Sequence, residues 1–384
     1  MGTVLRSVVI DADEEVTIKF DNINGVPTEK RLIAAIAGLQ RAARKTRSSS
    51  AASQSVSPLP AASPLQAASL PISAPLAQAR TRSPITSSAG AGGVDRITEF
   101  ALPTPSSYPN SITAGPDGNL WFTEQAAGQI GRITPSGRIT EFTIPLPNSR
   151  PVDITAGPGK SVWFTFDHYI GSITTTGQVT KYSYNYLWVA DGIAAAPDGT
   201  LWCGIASSNN IFRMTPNDLF TMLDLPEYKL RAHRITVGPD RKLWFTDPPG
   251  NAIGRITTAG NVRSWKLPHA GSGPSHITAG PDGKLWFTES EGNRIGCITI
   301  DGSIDEFNLP KSLSGPTGIT VGPDGNLWFT AAEGNSIGRI TIDGSITAFA
   351  LPLAHSHPQD ITAAPDGNLW FVEAMGNRIG CIIP

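Results

Sequence analysis

"ITAGPDGNLWFTE", Ile112 to Glu124, returns as "ITAGPDGKLWFTE" at Ile277–Glu289, "ITVGPDGNLWFTA" at Ile319–Ala331 and "ITAAPDGNLWFVE" at Ile361–Glu373. Thirteen residues written four times with so little change mark a repeat architecture, and the period decides which one. The tryptophan of each unit is the marker: Trp121, Trp163, Trp202, Trp244, Trp286, Trp328 and Trp370, at steps of 42, 39, 42, 42, 42 and 42 residues. That step is the length of one four-stranded propeller blade. In the first unit the strands are "SITA", "LWFTE", "IGRIT" and "RITEFTIP", separated by "GPDGN", "QAAGQ" and "PSG". Proline presets φ and glycine supplies positive φ in these turns. No segment of the repeats carries a helical period.

The ends of the array give a sharper test. The last copy stops after three strands, at "NRIGCIIP" and Pro384. An orphan fourth strand, "DRITEFALP" (Asp95–Pro103), stands before the first copy and nearly repeats "GRITEFTIP" (Gly137–Pro145). The N-terminal strand is therefore expected to complete the last blade, so that closure removes the exposed sheet edges. The expected fold is all-β: residues 94–384 form a seven-bladed β-propeller of four-stranded blades, closed by the strand at 95–103. The seven tryptophans are expected to pack between blades, and the "GPDG" segments to be turns rather than ion-binding loops.

Two further parts precede the propeller. In residues 1–45, "VLRSVVI" and "EVTIKF" alternate as a half-buried hairpin does. "PTEKRLIAAIAGLQRAARKTR" then starts with helix signals and places Leu32, Ile33, Ile36 and Leu39 on one face. Such a ββα unit is too small to bury that face alone, so a protein partner or self-association through residues 1–45 is expected. Residues 46–93, rich in Ser, Ala and Pro, read as a flexible linker.

Composition narrows the function. Charged residues make up 16% and the net charge is -2, with no overall attraction to nucleic acid or anionic membrane. The propeller region is acidic, with 20 Lys and Arg against 26 Asp and Glu. The cluster Arg41, Arg44, Lys45 and Arg47 reads as the cationic end of a helix. Cys203, Cys297 and Cys381 are too few and too scattered for a disulfide framework or zinc site. No apolar leader and no stretch of membrane length is present, which points to a cytoplasmic protein, a virion-associated place staying open.

Function is expected where the copies differ. Chain reversal puts the fourth-to-first connections and the second-to-third loops on one face, opposite the invariant turns. Just before each first strand stands the motif x-P-x-x-I-T: "YPNSIT", "RPVDIT", "VADGIA", "RAHRIT", "GPSHIT", "GPTGIT" and "HPQDIT". Its third and fourth positions are expected to ring the mouth of the central channel. That ring holds Asn110, Ser111, Asp153, Asp191, His233, Arg234, Ser275, His276, Thr317, Gln359 and Asp360, with His357 beside it and Glu289 and Glu373 from the loops. Histidines beside carboxylates suit ligand binding or acid–base work. A small molecule or peptide is the expected partner there.

The repeat wording, "ITAGPDGNLWFTE" followed by "GNRIG" and "ITEF.LP", resembles the virginiamycin B (streptogramin B) lyases over about residues 94–384. The resemblance implies a magnesium-assisted C–O lyase that linearises cyclic streptogramin B antibiotics by elimination at the ester, and hence antibiotic resistance. In that family a histidine base takes the proton as the C–O bond breaks, and the metal acts as Lewis acid. The essential histidines stand at the third motif position of the sixth and seventh repeats, with a glutamate before the seventh proline and another after the seventh "WF". Here those places hold Thr317, Gln359 and His357, with Glu373 one residue off the last. A displaced site would use His233, His276 and Glu289, although strand alternation points the third and fourth positions to opposite sides of the sheet. Three readings follow: a binding propeller without the family's acid–base residues, an active lyase using magnesium, and a metal-dependent lactonase-like propeller. No cofactor is required by the first.

Overall fold

The computed structural model describes residues 2–10, 16–23, 65–66, 68–71, 96–183, 190–205, 207–215, 219–225, 230–257 and 260–384. The chain divides into two units, Met1–Ser63 and Pro64–Pro384. In the first, Gly2–Ile10 pairs antiparallel with Val16–Ile23. The helix expected over residues 27–45 lies outside the described residues.

The second unit is a seven-bladed propeller. Blade 1 consists of Pro109–Ala114, Leu120–Glu124, Gln129–Ile133 and Ile139–Thr143, hydrogen-bonded in that order. Blades 2 to 6 repeat the meander, beginning at Pro151, Ile193, Ile235, Pro274 and Pro316. Blade 7 takes three strands from the C-terminus, Pro358–Ala363, Leu369–Glu373 and Arg378–Ile382, and its fourth from Ile97–Ala101. Arg378 pairs with Ala101 and Ile382 with Ile97, so the orphan strand closes the ring in the expected register. The seven first strands touch one another in sequence, and the seventh touches the first.

Each seam between blades is one apolar cluster, and its centre is the repeat tryptophan. Trp121 packs on Val162 and Phe164 of the next blade, Trp328 on Leu369 and Phe371, and Trp370 on Leu120 and Phe122 across the closure. In six of the seven blades the ring is stacked on the fourth-strand aromatic of its own blade, as in Trp121–Phe142 (5.5 Å) and Trp370–Phe100 (5.6 Å), and in blade 3 Leu223 packs in the Trp202 cluster. Offset stacking of this kind adds to burial. The "GPDG" aspartates explain their own invariance. Asp117, Asp240, Asp282, Asp324 and Asp366 accept the indole N–H of the tryptophan four residues on, at 2.9–3.1 Å. A buried indole donor left unpaired would be costly. These turns are therefore scaffold.

One difference concerns the linker. Within residues 46–93, Leu65–Gln66 pairs with Leu219–Phe220 and Ala68–Pro71 with Thr180–Ser183, adding fifth strands to blades 3 and 2. Composition does not forecast this, because edge pairing draws on backbone N–H and C=O groups rather than on apolar side chains.

Candidate functional site

The mouth is built by a defect repeated in blade after blade. In blades 1, 2, 5, 6 and 7 the register breaks between the motif proline and isoleucine. Pro109 faces Glu124 and Ile112 faces Phe122, so Asn110 and Ser111 together oppose Thr123 alone. This is a β-bulge, and a bulge re-aims the side chains it carries. The threonine of "LWFT" holds it. Its hydroxyl oxygen accepts the fourth-position N–H at Ser111 (3.0 Å), Asp153 (3.2 Å), Arg234 (3.1 Å), His276 (3.0 Å) and Gly318 (2.8 Å). The same hydroxyl donates to the third-position carbonyl of the next blade, at Val152, Asp191, Ser275, Thr317 and Gln359. Five of the seven steps round the inner ring are thus stitched by this one side chain; blades 3 and 7 have Gly204 and Val372 in its place.

The fourth positions then meet across the centre. Asp153 forms an ion pair with Arg234 and accepts bonds from Ser111 Oγ (2.8 Å) and Ile193 N (2.8 Å). Asp360 accepts from Ile112 N (3.0 Å) and Ile361 N (2.8 Å), and lies 2.8 Å from Ser111 Oγ and 3.5 Å from His276 Nδ1. Ser111 has one hydroxyl hydrogen and two carboxylate neighbours, so it cannot donate fully to both. Burial, aided by the negative charge of Asp153 and opposed by Arg234, holds the Asp360 carboxyl up at about 6. Burial opposes the charge of Arg234, but Asp153 and Asp360 outweigh it and raise its pKa. His276 is driven well below the usual histidine range by burial, by Arg234 and by His233. His233 is lowered by burial and Arg234, against the pull of Asp191 and Asp153. Both shifts favour the neutral imidazole.

The structure therefore gathers Asp153, Asp191, His233, Arg234, His276 and Asp360 into one network. His233 and His276 come together despite standing at different motif positions. The alternation argument fails because the bulge puts two consecutive residues opposite one partner in blade 5. Glu289 is not part of this group. It is fully buried on the loop side, bound to Arg294 Nε at 2.9 Å, and raised by burial and nearby Glu306. Glu373 is likewise fully buried, held up at about 7 by burial and by Glu99.

The third positions line the next layer. Asn110 Nδ2 donates to Val152 O (2.8 Å). Thr317 Oγ1 lies 2.8 Å from Thr330 Oγ1 and donates to Pro358 O (3.2 Å). Gln359 Nε2 donates to Nδ1 of His357 at 2.7 Å. The Ser275 carbonyl accepts from Thr246, while its side chain is half-buried.

These residues do not fit a magnesium ion. The oxygens of Asp153 and Asp360 already serve protein donors, and among the described residues no three His, Cys, Asp or Glu side chains are arranged around a common metal position. Sequence reasoning named the members of the network, Ser111 among them, but not the role of Ser111 as its hub, and it missed the stitch, the repeat threonine. The threonine's recurrence was a signal of structure that the repeat wording carried in plain view.

The comparisons agree with this architecture. The model of the virginiamycin B lyase family matches residues 87–186 and 188–384. Among curated proteins, the virginiamycin B lyase of Bacillus licheniformis is 48% identical over 42 residues, covering 11% of this chain and 14% of that protein. The one from Saccharopolyspora erythraea is 51% identical over 41 residues, again 11% and 14%. Each of these matches is one repeat long. Among solved structures, a streptogramin B lyase is 35% identical, covers 74% of this chain and 96% of its own, and superposes with a TM-score of 0.71. A catalytically inactive histidine-to-alanine virginiamycin B lyase from Staphylococcus aureus, solved with quinupristin, is 34% identical, covering 75% and 99% with a TM-score of 0.71. With the family model spanning both halves of the ring, the chain belongs to the virginiamycin B lyase family.

Proposed function

We propose that this propeller binds a cyclic depsipeptide or related small peptide at its mouth without opening it. The observation that carries the reading is the identity of Thr317 and Gln359 where the family resemblance expects histidines. A hydroxyl and a carboxamide cannot take a proton from carbon at neutral pH, and both are engaged by neighbouring groups. Binding needs only the half-buried polar rim of Asn110, Ser275, Thr317, His357 and Gln359. The test is calorimetric titration of the full chain with a streptogramin B antibiotic, paired with chromatography and fragmentation of the recovered ligand. Saturable binding with the ring intact is the expected result. Ring opening would overturn it. A cytoplasmic location, and self-association through residues 1–45, belong to the same reading.

One observation favours a second reading, a lyase whose centre has moved round the ring. His233, Arg234, His276 and Asp360 form a buried acid–base group at the mouth. A neutral imidazole there would take the proton from the carbon next to the one bearing the ester oxygen, so that a C=C bond forms as the C–O bond breaks and the carboxylate leaves. Opening that survives in wild type and is lost in both His233→Ala and His276→Ala would establish it.

A further inference from the structure

Five of the seven second-to-third loops place an asparagine just before the third strand or at its edge: Asn209, Asn251, Asn293, Asn335 and Asn377. At three of them the carboxamide is a two-way clip on the following connection. Asn251 accepts from Ser272 N (2.8 Å) and donates to His269 O (2.7 Å). Asn335 does the same with Ser356 N (2.7 Å) and Leu353 O (2.8 Å), and Asn377 with Ser107 N (2.8 Å) and Thr104 O (2.9 Å). Their φ values are 48, 51 and 53°. Blade 1 keeps this backbone and lacks the side chain. Gly128 has φ 65°, and its carbonyl still accepts from Ile144 N (3.1 Å), as Asn377 O accepts from Leu102 N.

Where the clip is missing there is a cavity of about 550 Å³, lined by Ala126–Gly128 and Thr143–Ser149. Its walls are mixed, with the apolar part from Ala126, Ala127, Ile144, Pro145, Leu146 and Pro147. By position, Ser149 N–H and Leu146 C=O are the groups that an asparagine at 128 would join. With glycine there, no side chain of this loop accepts from the Ser149 amide, and the Ser149 hydroxyl donates to Leu146 O (2.6 Å).

We propose that this cavity is a binding subsite for a carboxamide, the backbone or side-chain amide of a peptidic ligand, which takes the place of the missing asparagine. The ligand carbonyl accepts from Ser149 N–H and its N–H donates to the free lone pair of the Leu146 carbonyl. The proline and alanine walls cover the adjoining hydrocarbon. A carboxylate lacks the donor and would face a carbonyl oxygen, and an ammonium lacks the acceptor, so the amide is the class selected. The subsite stands at the rim of blades 1 and 2, and does not depend on what the central mouth binds.

The test is saturation-transfer NMR on the full chain with N-acetylleucinamide, using N-acetylleucine as the acid control. A ligand of this size should bind with Kd of about 1 mM, and the acid at least about tenfold more weakly. Gly128→Asn supplies the clip from within and should abolish the signal. A β-carbon at 128 stands 2.9 Å from Ser149 O, so that connection must shift slightly, and a thermal melt reports whether the variant is folded. Ala126→Trp, at an exposed position, occludes the groove without touching the core and should also abolish binding. No saturable signal in wild type, equal binding of the acid, or unchanged binding in a folded Ala126→Trp would each overturn the proposal.

Discussion

At the scale of single residues, three blades carry the same buried acid with different neighbours. Glu289, Glu373 and Glu124 end their second strands, and each faces the first residue of the third strand: Arg294, Arg378 and Gln129. Arginine supplies a counter-charge in two cases. In the third, both oxygens of Glu124 and Oε1 of Gln129 have no hydrogen-bond partner among the described residues: the Ser107 hydroxyl lies near enough to Glu124 to favour its charged form, but its hydrogen is given to Asn377. Burial, with the charge of Glu141, holds Glu124 up at about 8. The one O–H of a protonated Glu124 would supply a donor to Gln129 Oε1. Because the folded pKa exceeds the unfolded one, the folded state binds the extra proton between about 4.5 and 8. Stability is then full at the low end of that window and falls as pH rises through it. Glu124→Gln should remove this slope, leaving the variant more stable than wild type at pH 8 by on the order of 2 kcal/mol and little changed at pH 5. Denaturant titrations at the two pH values decide it, and equal differences at both would refute the protonated acid. At the centre the reverse holds. Arg234→Met leaves Asp153 buried and unpaired, and should cost about 3–5 kcal/mol by urea unfolding at pH 7. The double variant Arg234→Met, Asp153→Asn should recover much of that loss.

At the scale of strands, one blade breaks the repeat twice and the two breaks cancel. Elsewhere the phenylalanine of "LWF" lies over a glycine of the third strand, and a β-carbon on Gly131 would stand 2.0 Å from the Phe122 ring. In blade 3 the phenylalanine has become Cys203 and the glycine Phe212, and the two face each other across the ladder. The ring has crossed to the neighbouring strand, and the volume is kept. Cys203→Phe alone should therefore be strongly destabilising, because two rings cannot occupy one slot; overpacking of this kind costs about 1–3 kcal/mol or more. Adding Phe212→Gly should restore most of it, and calorimetric melts of the singles and the double measure the coupling. This exchange, like the tryptophan period, was written in the sequence, because each side chain acts within its own blade or the next. The central network was less legible. Asp153, Asp360, Arg234 and His276 could be named as mouth residues from their motif positions. Their joining through Ser111 depends on the bulge, and a bulge leaves no mark in an alternating pattern. The loop acids were misjudged for the same reason: Glu289 and Glu373 were read as rim groups, yet both are fully buried.

At the scale of the whole molecule, the ring stands or falls by its closing strand. Ile97–Ala101 pairs residue for residue with Arg378–Ile382. Phe100 stacks on Trp370, Leu102 joins the same seam, and Glu99 receives Arg378 Nη1 at 2.9 Å. Without this strand Trp370 loses its stacking partner, and the third strand of blade 7 becomes an open edge of the kind that recruits other chains. Two truncations separate this effect from everything upstream. Deleting residues 1–93 removes the hairpin unit and the linker, with the short strands that linker lends to blades 2 and 3, and leaves the closing strand in place. Deleting residues 1–103 removes the closing strand as well. Loss of two buried apolar side chains and a five-residue ladder amounts to on the order of 5 kcal/mol, so the second truncation should melt about 10 °C or more below the first. It should also lose monodispersity in light scattering as the exposed edge pairs between molecules. A synthetic peptide of residues 94–105 added in excess should raise the melting temperature of the second truncation and leave the first unmoved. Equal melting of the two truncations would mean that the seven seams hold the ring without closure, and that the strand's match to the repeat serves some other end.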